Sequence, residues 1–401
     1  MRIPIIILAL ATLGADWPQF LGPQRDSTSP ETGLARTWPA NGLKVLWELK
    51  AGTGWSGPIV AGERAILFHR IDNEEVIDCV DAATGKPIWN HRYKTRYTDD
   101  FNFDDGPRST PTISGNQVFT LGADGDLSAV ELATGKPLWH RNLTKDYAPP
   151  KGFFGIATSP LVAGGKLIIN VGAKGAGVVA FDLAEGKEIW KSTNHGVSYS
   201  SPVTATINGE GLAIFFTRQG LLALTVAKGE VRHEFPWRPR IDASVNAAAP
   251  IVAGNRIFLT TSYSTGAVLL EADKTELKEI WKNDKSLSCH FNTPVRVSDH
   301  LFGVDGRQEG RPRLRCVEWA TGKVLWTKDE FGSASLIHAD GLIFAMVESG
   351  DLVLFDPSTI EYKELGRASI LGSKVRAASA LSGGRLYARD GAKWICVDVK
   401  K

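Results

Sequence analysis

The chain has few cysteines, and none adjoins another. Cys79, Cys289, Cys316 and Cys396 stand apart in 401 residues. That spacing excludes a vicinal disulfide and any C-x-x-C metal or redox pair. The eight histidines form no H-E-x-x-H or H-x-H pattern, so there is no zinc signature. No G-x-S-x-G nucleophile elbow occurs. Cys289–His290 is a poor nucleophile–base pair, because adjacent residues on a strand point to opposite faces. Cationic patches are also missing. With 46 Lys and Arg against 44 Asp and Glu, the net charge is +2, which gives no footprint for a nucleic acid. Beyond the first residues no run is apolar enough to cross a bilayer, which takes roughly 20 residues. No segment keeps a helical period.

The N-terminus reads as an export signal. Arg2 is followed by an apolar run, Ile3 to Leu13, and a small-residue end, Gly14–Ala15. Residues 1–15 are expected to be a signal peptide. Asp16 stands where a lipidated cysteine would, so the expectation is an exported, periplasmic or extracellular protein without a lipid anchor. Residues 16–42, rich in Pro, Gly, Ser and Thr, read as an irregular arm pinned by its aromatics and not as a strand.

One frame recurs through the rest. Cys79–Trp89, Ala129–Trp139, Ala180–Trp190 and Cys316–Trp326 share a small residue, an acid two positions on, a glycine at position seven and a closing tryptophan. The glycine supplies the positive φ of a tight hairpin turn. The tryptophan offers a broad apolar face with one N–H donor. Cysteines 79, 316 and 396 sit in the small-residue slot and are expected to be free and buried.

Each unit opens on a small or polar residue before proline, as in Gly57–Pro58, Thr110–Pro111, Ser159–Pro160, Ser201–Pro202, Ala249–Pro250 and Thr293–Pro294. Four short strands bounded by turn residues follow. Tryptophans at 47, 89, 139, 190, 281 and 326 mark the period, which suits propeller blades of about 40–50 residues. Between Trp190 and Trp281 a degenerate unit puts His233 in the tryptophan slot; a seventh has Leu365 near it. An eighth unit ends at Asp398–Val399 and lacks its last strand, while Leu43–Leu49 is a strand without a unit. The spacing therefore predicts an all-β fold: an eight-bladed β-propeller with four-stranded antiparallel blades over residues 43–401, closed by the N-terminal strand.

The A-x-[DE]-x-x-T-G-K-x-x-W frame resembles the tryptophan-docking repeat of pyrroloquinoline-quinone (PQQ)-type propellers, and Asp16–Gly22 is similar to the opening of exported members. The resemblance covers residues 43–399. It implies one of two roles. Quinoprotein dehydrogenases hold PQQ and Ca²⁺ at the funnel mouth, whereas the propeller lipoprotein of the barrel-assembly machinery binds partners without a cofactor. The dehydrogenases carry a vicinal cysteine pair and long loops that this chain lacks.

In that fold the blade-to-blade connections and the loops between middle strands meet at the mouth. This nominates Trp55, Arg108, Phe154, Tyr199, Asn246, His290, Asn292 and Arg376 as binding residues. The acidic loop Asp99–Gly106 misses the calcium pattern: Gly106 comes one residue late and Pro111 stands where glutamate is needed. Asp104, Asp105 and Asp242 are the carboxylates expected nearest the mouth. The resulting expectation is a monomeric, non-enzymatic module with no metal and no cofactor, binding a protein, small-molecule or polymer ligand at the mouth. The alternative is a PQQ- and Ca²⁺-dependent dehydrogenase of alcohols or sugars.

Overall fold

The computed structural model describes residues 16–39 and 42–401; the signal-peptide expectation for residues 1–15 lies outside them. Those residues build eight sheets, each holding one four-stranded antiparallel blade of a propeller. The one helix among the described residues, Leu143–Tyr147, is a single turn capped by Asn142, whose side chain accepts the Lys145 N–H. In blade 1 the strands run Ile59–Ala61, Arg64–Ile71, Glu74–Asp81 and Pro87–Lys94, and their sheet order is their chain order. The middle strands are buried almost throughout. Hydrophobic clusters join neighbouring blades, so the core is an annulus.

The repeat residues act as the frame implies. Four of the closing tryptophans lie on the turn glycine of the next blade, whereas Trp326 caps the Pro357–Ser358 turn of blade 7 through the Ser358 carbonyl (2.9 Å). A Cβ added to Gly135 would sit 2.4 Å from the Trp89 ring; at Gly186, Gly229 and Gly322 it would sit 2.7, 2.4 and 2.8 Å from Trp139, Trp190 and Trp281. Each indole N–H also donates to a carbonyl of that next blade: Trp89 to Leu132 (3.0 Å), Trp139 to Leu183 (2.9 Å) and Trp281 to Trp319 (2.9 Å). Such burial contributes roughly 1–3 kcal/mol per side chain. The pre-proline slot has a second purpose. Gly57 N–H donates to Thr110 Oγ1, Thr110 N–H to Ser159 Oγ and Ser159 N–H to Ser201 Oγ, so one blade's hydroxyl ties down the blade before it.

The ring closes as expected. Val45–Lys50 pairs antiparallel with Lys393–Asp398 as the outer strand of blade 8. Trp47 then docks on blade 1 at Ala82 (3.1 Å) and Gly85. In the degenerate blade 4, His233 does pair with Ala223 at the tryptophan position. In blade 7 the register puts Gly366 opposite Leu354, so the slot falls one residue beyond Leu365. The Trp38 indole packs over Gly366, where a Cβ would meet it at 3.0 Å.

The arm departs from the sequence reading. Thr28–Ser29 adds a short parallel strand to the inner strand of blade 7, pairing with His338 and Ala339. Composition hid this, because the pairing depends on a distant strand. The arm starts at the turn of blade 1, where Asp16 accepts the Gly62 N–H (2.8 Å), and Trp17 bridges Val60. Its tip crosses the channel. It then returns, Glu31 accepting the N–H of Gly384 (2.6 Å) and Leu34 N–H reaching Asp340 (3.0 Å). At the tip Arg25 is buried, bonding Gln19 Oε1 (2.8 Å), the Pro202 carbonyl (2.9 Å), Thr112 Oγ1 (3.2 Å) and the Pro160 carbonyl. One side chain thus staples the inner strands of three blades.

Candidate functional site

Blade-to-blade connections converge on a cup of about 360 Å³, floored by Phe20 and Leu21 of the arm. Trp55, Arg108, Phe154, Tyr199, His290, Asn292 and Arg376 all line it. Asn246 does not. It is buried behind the wall, donating to the Thr217 carbonyl (2.9 Å) and accepting Tyr199 and Ser200 N–H groups on its own carbonyl. Its side chain satisfies loop backbone, which is why a polar residue occupies that slot. Sequence reasoning missed Phe101, Phe103, Phe153, Tyr263, Phe291, Arg307 and Glu309, which also line the cup. Tyr263, Arg307 and Glu309 come from loops between middle strands. Those loops were placed at the mouth, but without a repeat motif to mark single residues.

Trp55 is the centre of the cup. The guanidinium of Arg108 lies 4.5 Å from its ring centroid and that of Arg376 lies 4.8 Å from it. Arg108 also faces Phe154 at 4.8 Å. Such contacts stabilise by roughly 1–2 kcal/mol when desolvated. Asp99 organises the acidic loop. Its carboxylate pairs with Arg108 (2.9 Å) and accepts the N–H groups of Phe101 (3.0 Å), Phe103 (3.1 Å) and Asp104 (3.1 Å). The loop thus folds around a buried carboxylate. Asp104 accepts Gly106 N–H, Asp105 accepts Asp99 N–H, and Asp242 is exposed and paired with Arg238. The three do not converge.

A second polar group lies across the cup. His290 meets Gln308 Oε1 through Nδ1 (2.7 Å) and the Tyr263 hydroxyl through Nε2 (2.8 Å). Burial holds the His290 pKa below the usual imidazole value and the Tyr263 pKa above the usual phenol value. Near neutral pH the imidazole is therefore neutral, donating from Nδ1–H and accepting the tyrosine proton at Nε2. Tyr263 and Ser264 both have positive φ (62° and 57°), which is costly for a bulky residue and points to a position fixed by its contacts.

The ring of eight four-stranded blades with docked tryptophans defines an eight-bladed, PQQ-type β-propeller. A family model described as outer membrane protein assembly factor BamB matches residues 38–192 and 75–327, and the chain belongs to that family. Among solved structures it is similar to BamB from Moraxella catarrhalis, with 14% identity, a TM-score of 0.65, and coverage of 89% of this chain and 97% of that one. It is equally similar to the quinohemoprotein alcohol dehydrogenase of Comamonas testosteroni, at 14% identity and a TM-score of 0.68, covering 96% and 81%. A europium-containing methanol dehydrogenase matches at 12% identity and a TM-score of 0.55, covering 95% and 90%. These likenesses establish the fold. No curated protein matches the chain. No helix among the described residues is long and apolar enough to cross a membrane.

Proposed function

We propose that this protein is an exported propeller that binds a protein partner through its mouth and performs no redox chemistry there. The observation that carries the reading is the composition of the cup. Aromatic side chains and arginines from different blades converge on Trp55, with Phe101 and Phe103 exposed at the rim (49% and 57%). Aromatics and arginine are the usual energetic anchors of interfaces. The family model's description as an assembly factor supports the same reading.

The dehydrogenase alternative asks for a Ca²⁺–quinone centre, whose metal takes several converging oxygen ligands. The donor set does not suit one. Asp99, Glu309 and Glu348 each face a guanidinium, of Arg108, Arg307 and Arg376 respectively. Among the described residues no three His, Cys, Asp or Glu side chains are grouped to hold a metal.

Site-specific photo-cross-linking tests the reading. A benzophenone amino acid at Phe103 should trap a discrete partner in cells, and Arg376→Gln should abolish the adduct. The same probe at Ile360, an exposed residue on an outer turn of blade 7 (85% exposed), should not trap it. Equal adducts at both positions, or none at Phe103, would count against the mouth.

A further inference from the structure

Building on the mouth as a binding site, we propose that it recognises a carboxylate on an acidic protein segment with apolar neighbours, held by Arg108 and Arg376. The cup has more free donors than free acceptors. The Arg108 side chain is 8% exposed and spends Nη2 on Asp99 and the Asp104 carbonyl (3.1 Å). No protein atom accepts from its Nε or Nη1 within hydrogen-bond geometry, although the Tyr97 hydroxyl lies beside the guanidinium. A buried guanidinium with two unused donors is costly unless something accepts from it. Arg376 donates Nε to Glu348 (2.7 Å), and its terminal nitrogens have no partner among the described residues. The floor adds hydroxyls. Ser159, Ser201 and Thr293 accept backbone N–H groups on their oxygens, leaving their protons to donate, and Ser335 Oγ is unpartnered.

The carboxylates in and behind the cup wall are already engaged. Glu309 receives both Arg307 nitrogens (3.0 and 3.2 Å), and Asp99 and Glu348 are ion-paired. A ligand rich in acceptors therefore fits, and a planar carboxylate matches the guanidinium fork. The rim identifies its carrier. Phe101 and Phe103 stack at 6.1 Å and remain about half exposed (49% and 57%). A small acid inside the cup would leave that surface uncovered, whereas a peptide whose acidic side chain enters the cup would lay apolar neighbours over it.

Selection of randomised octapeptides on the purified protein tests this. The expected peptides carry Asp or Glu beside aromatic or aliphatic residues. Exchanging that Asp for Asn should weaken binding at least about tenfold, and Arg376→Gln should erase the Asp-over-Asn preference. Arg108→Gln should do the same but strips the partner from buried Asp99, so Arg376→Gln with an unchanged melting temperature carries the test. Peptides without acidic preference, or a preference that survives Arg376→Gln, overturn the carboxylate inference. If Phe103→Ala still abolishes their binding, the mouth reading stands. No selected peptides, or binding indifferent to Phe103→Ala, overturns the mouth reading and this inference with it.

Discussion

The Trp89 indole lies so close over Gly135 that a Cβ there would meet it at 2.4 Å, and Gly135 has a φ of 72°. Backbone conformation and the neighbouring blade thus demand glycine at one position. Gly135→Ala should destabilise the protein by roughly 2–3 kcal/mol, combining a left-handed alanine with overpacking. Gly254→Ala, with a φ of 59° but open space around it, should cost only about 1 kcal/mol. Urea unfolding of both variants checks the difference, and equal losses would separate the tryptophan contact from stability.

That contact also explains what was legible in the sequence. Gly135 and Trp89 are local, periodic and repeated, so the frame exposed the blades and the orphan strand exposed the closure. The arm was not legible. Arg25 is buried by blades 2, 3 and 4, and nothing near it in sequence signals that. The mouth was half legible. Trp55 and Arg376 followed from their place before an inner strand, whereas Tyr263 and Arg307 sit in loops whose length and composition vary from blade to blade. Asn246 looked like a mouth residue by position, but its amide turns inward to satisfy backbone.

Arg25 is buried without a carboxylate partner, and burial lowers its pKa to about 9. Its nitrogens instead satisfy carbonyls and Thr112. Arg25→Met should leave those acceptors unpaired and cost roughly 2–4 kcal/mol. It should also increase protease cleavage within the arm. Unchanged stability and unchanged proteolysis would show that the plug does not depend on it.

Glu75 is buried between blades 1 and 2, and desolvation raises its pKa from 4.5 to about 7. A raised folded-state pKa contributes stability that is fully present below about pH 4.5 and is lost as the pH rises through about 7. Glu75→Gln should remove that loss. Relative to wild type it should gain up to about 3 kcal/mol above pH 8 and nothing near pH 4.5. Melting curves across this range read it directly, and a pH-independent difference would contradict the assignment.

Cys79, Cys289, Cys316 and Cys396 are free and buried. Burial pushes the thiols of Cys79, Cys316 and Cys396 up to about 12, so none is a thiolate at neutral pH. A thiol reagent should find all four after denaturation without reductant and almost none in the native protein. A disulfide at any of the three frame positions would contradict the packing role.

The most direct test of the central claim, a partner-binding mouth without a redox centre, is to equilibrate the purified protein with PQQ and Ca²⁺. Quinone absorbance is read after gel filtration, and dye reduction is then assayed with alcohols and sugars. The expected result is no stoichiometric quinone in the protein peak and no substrate-dependent dye reduction. Stoichiometric retention together with substrate-dependent reduction would contradict the account and make the protein a dehydrogenase.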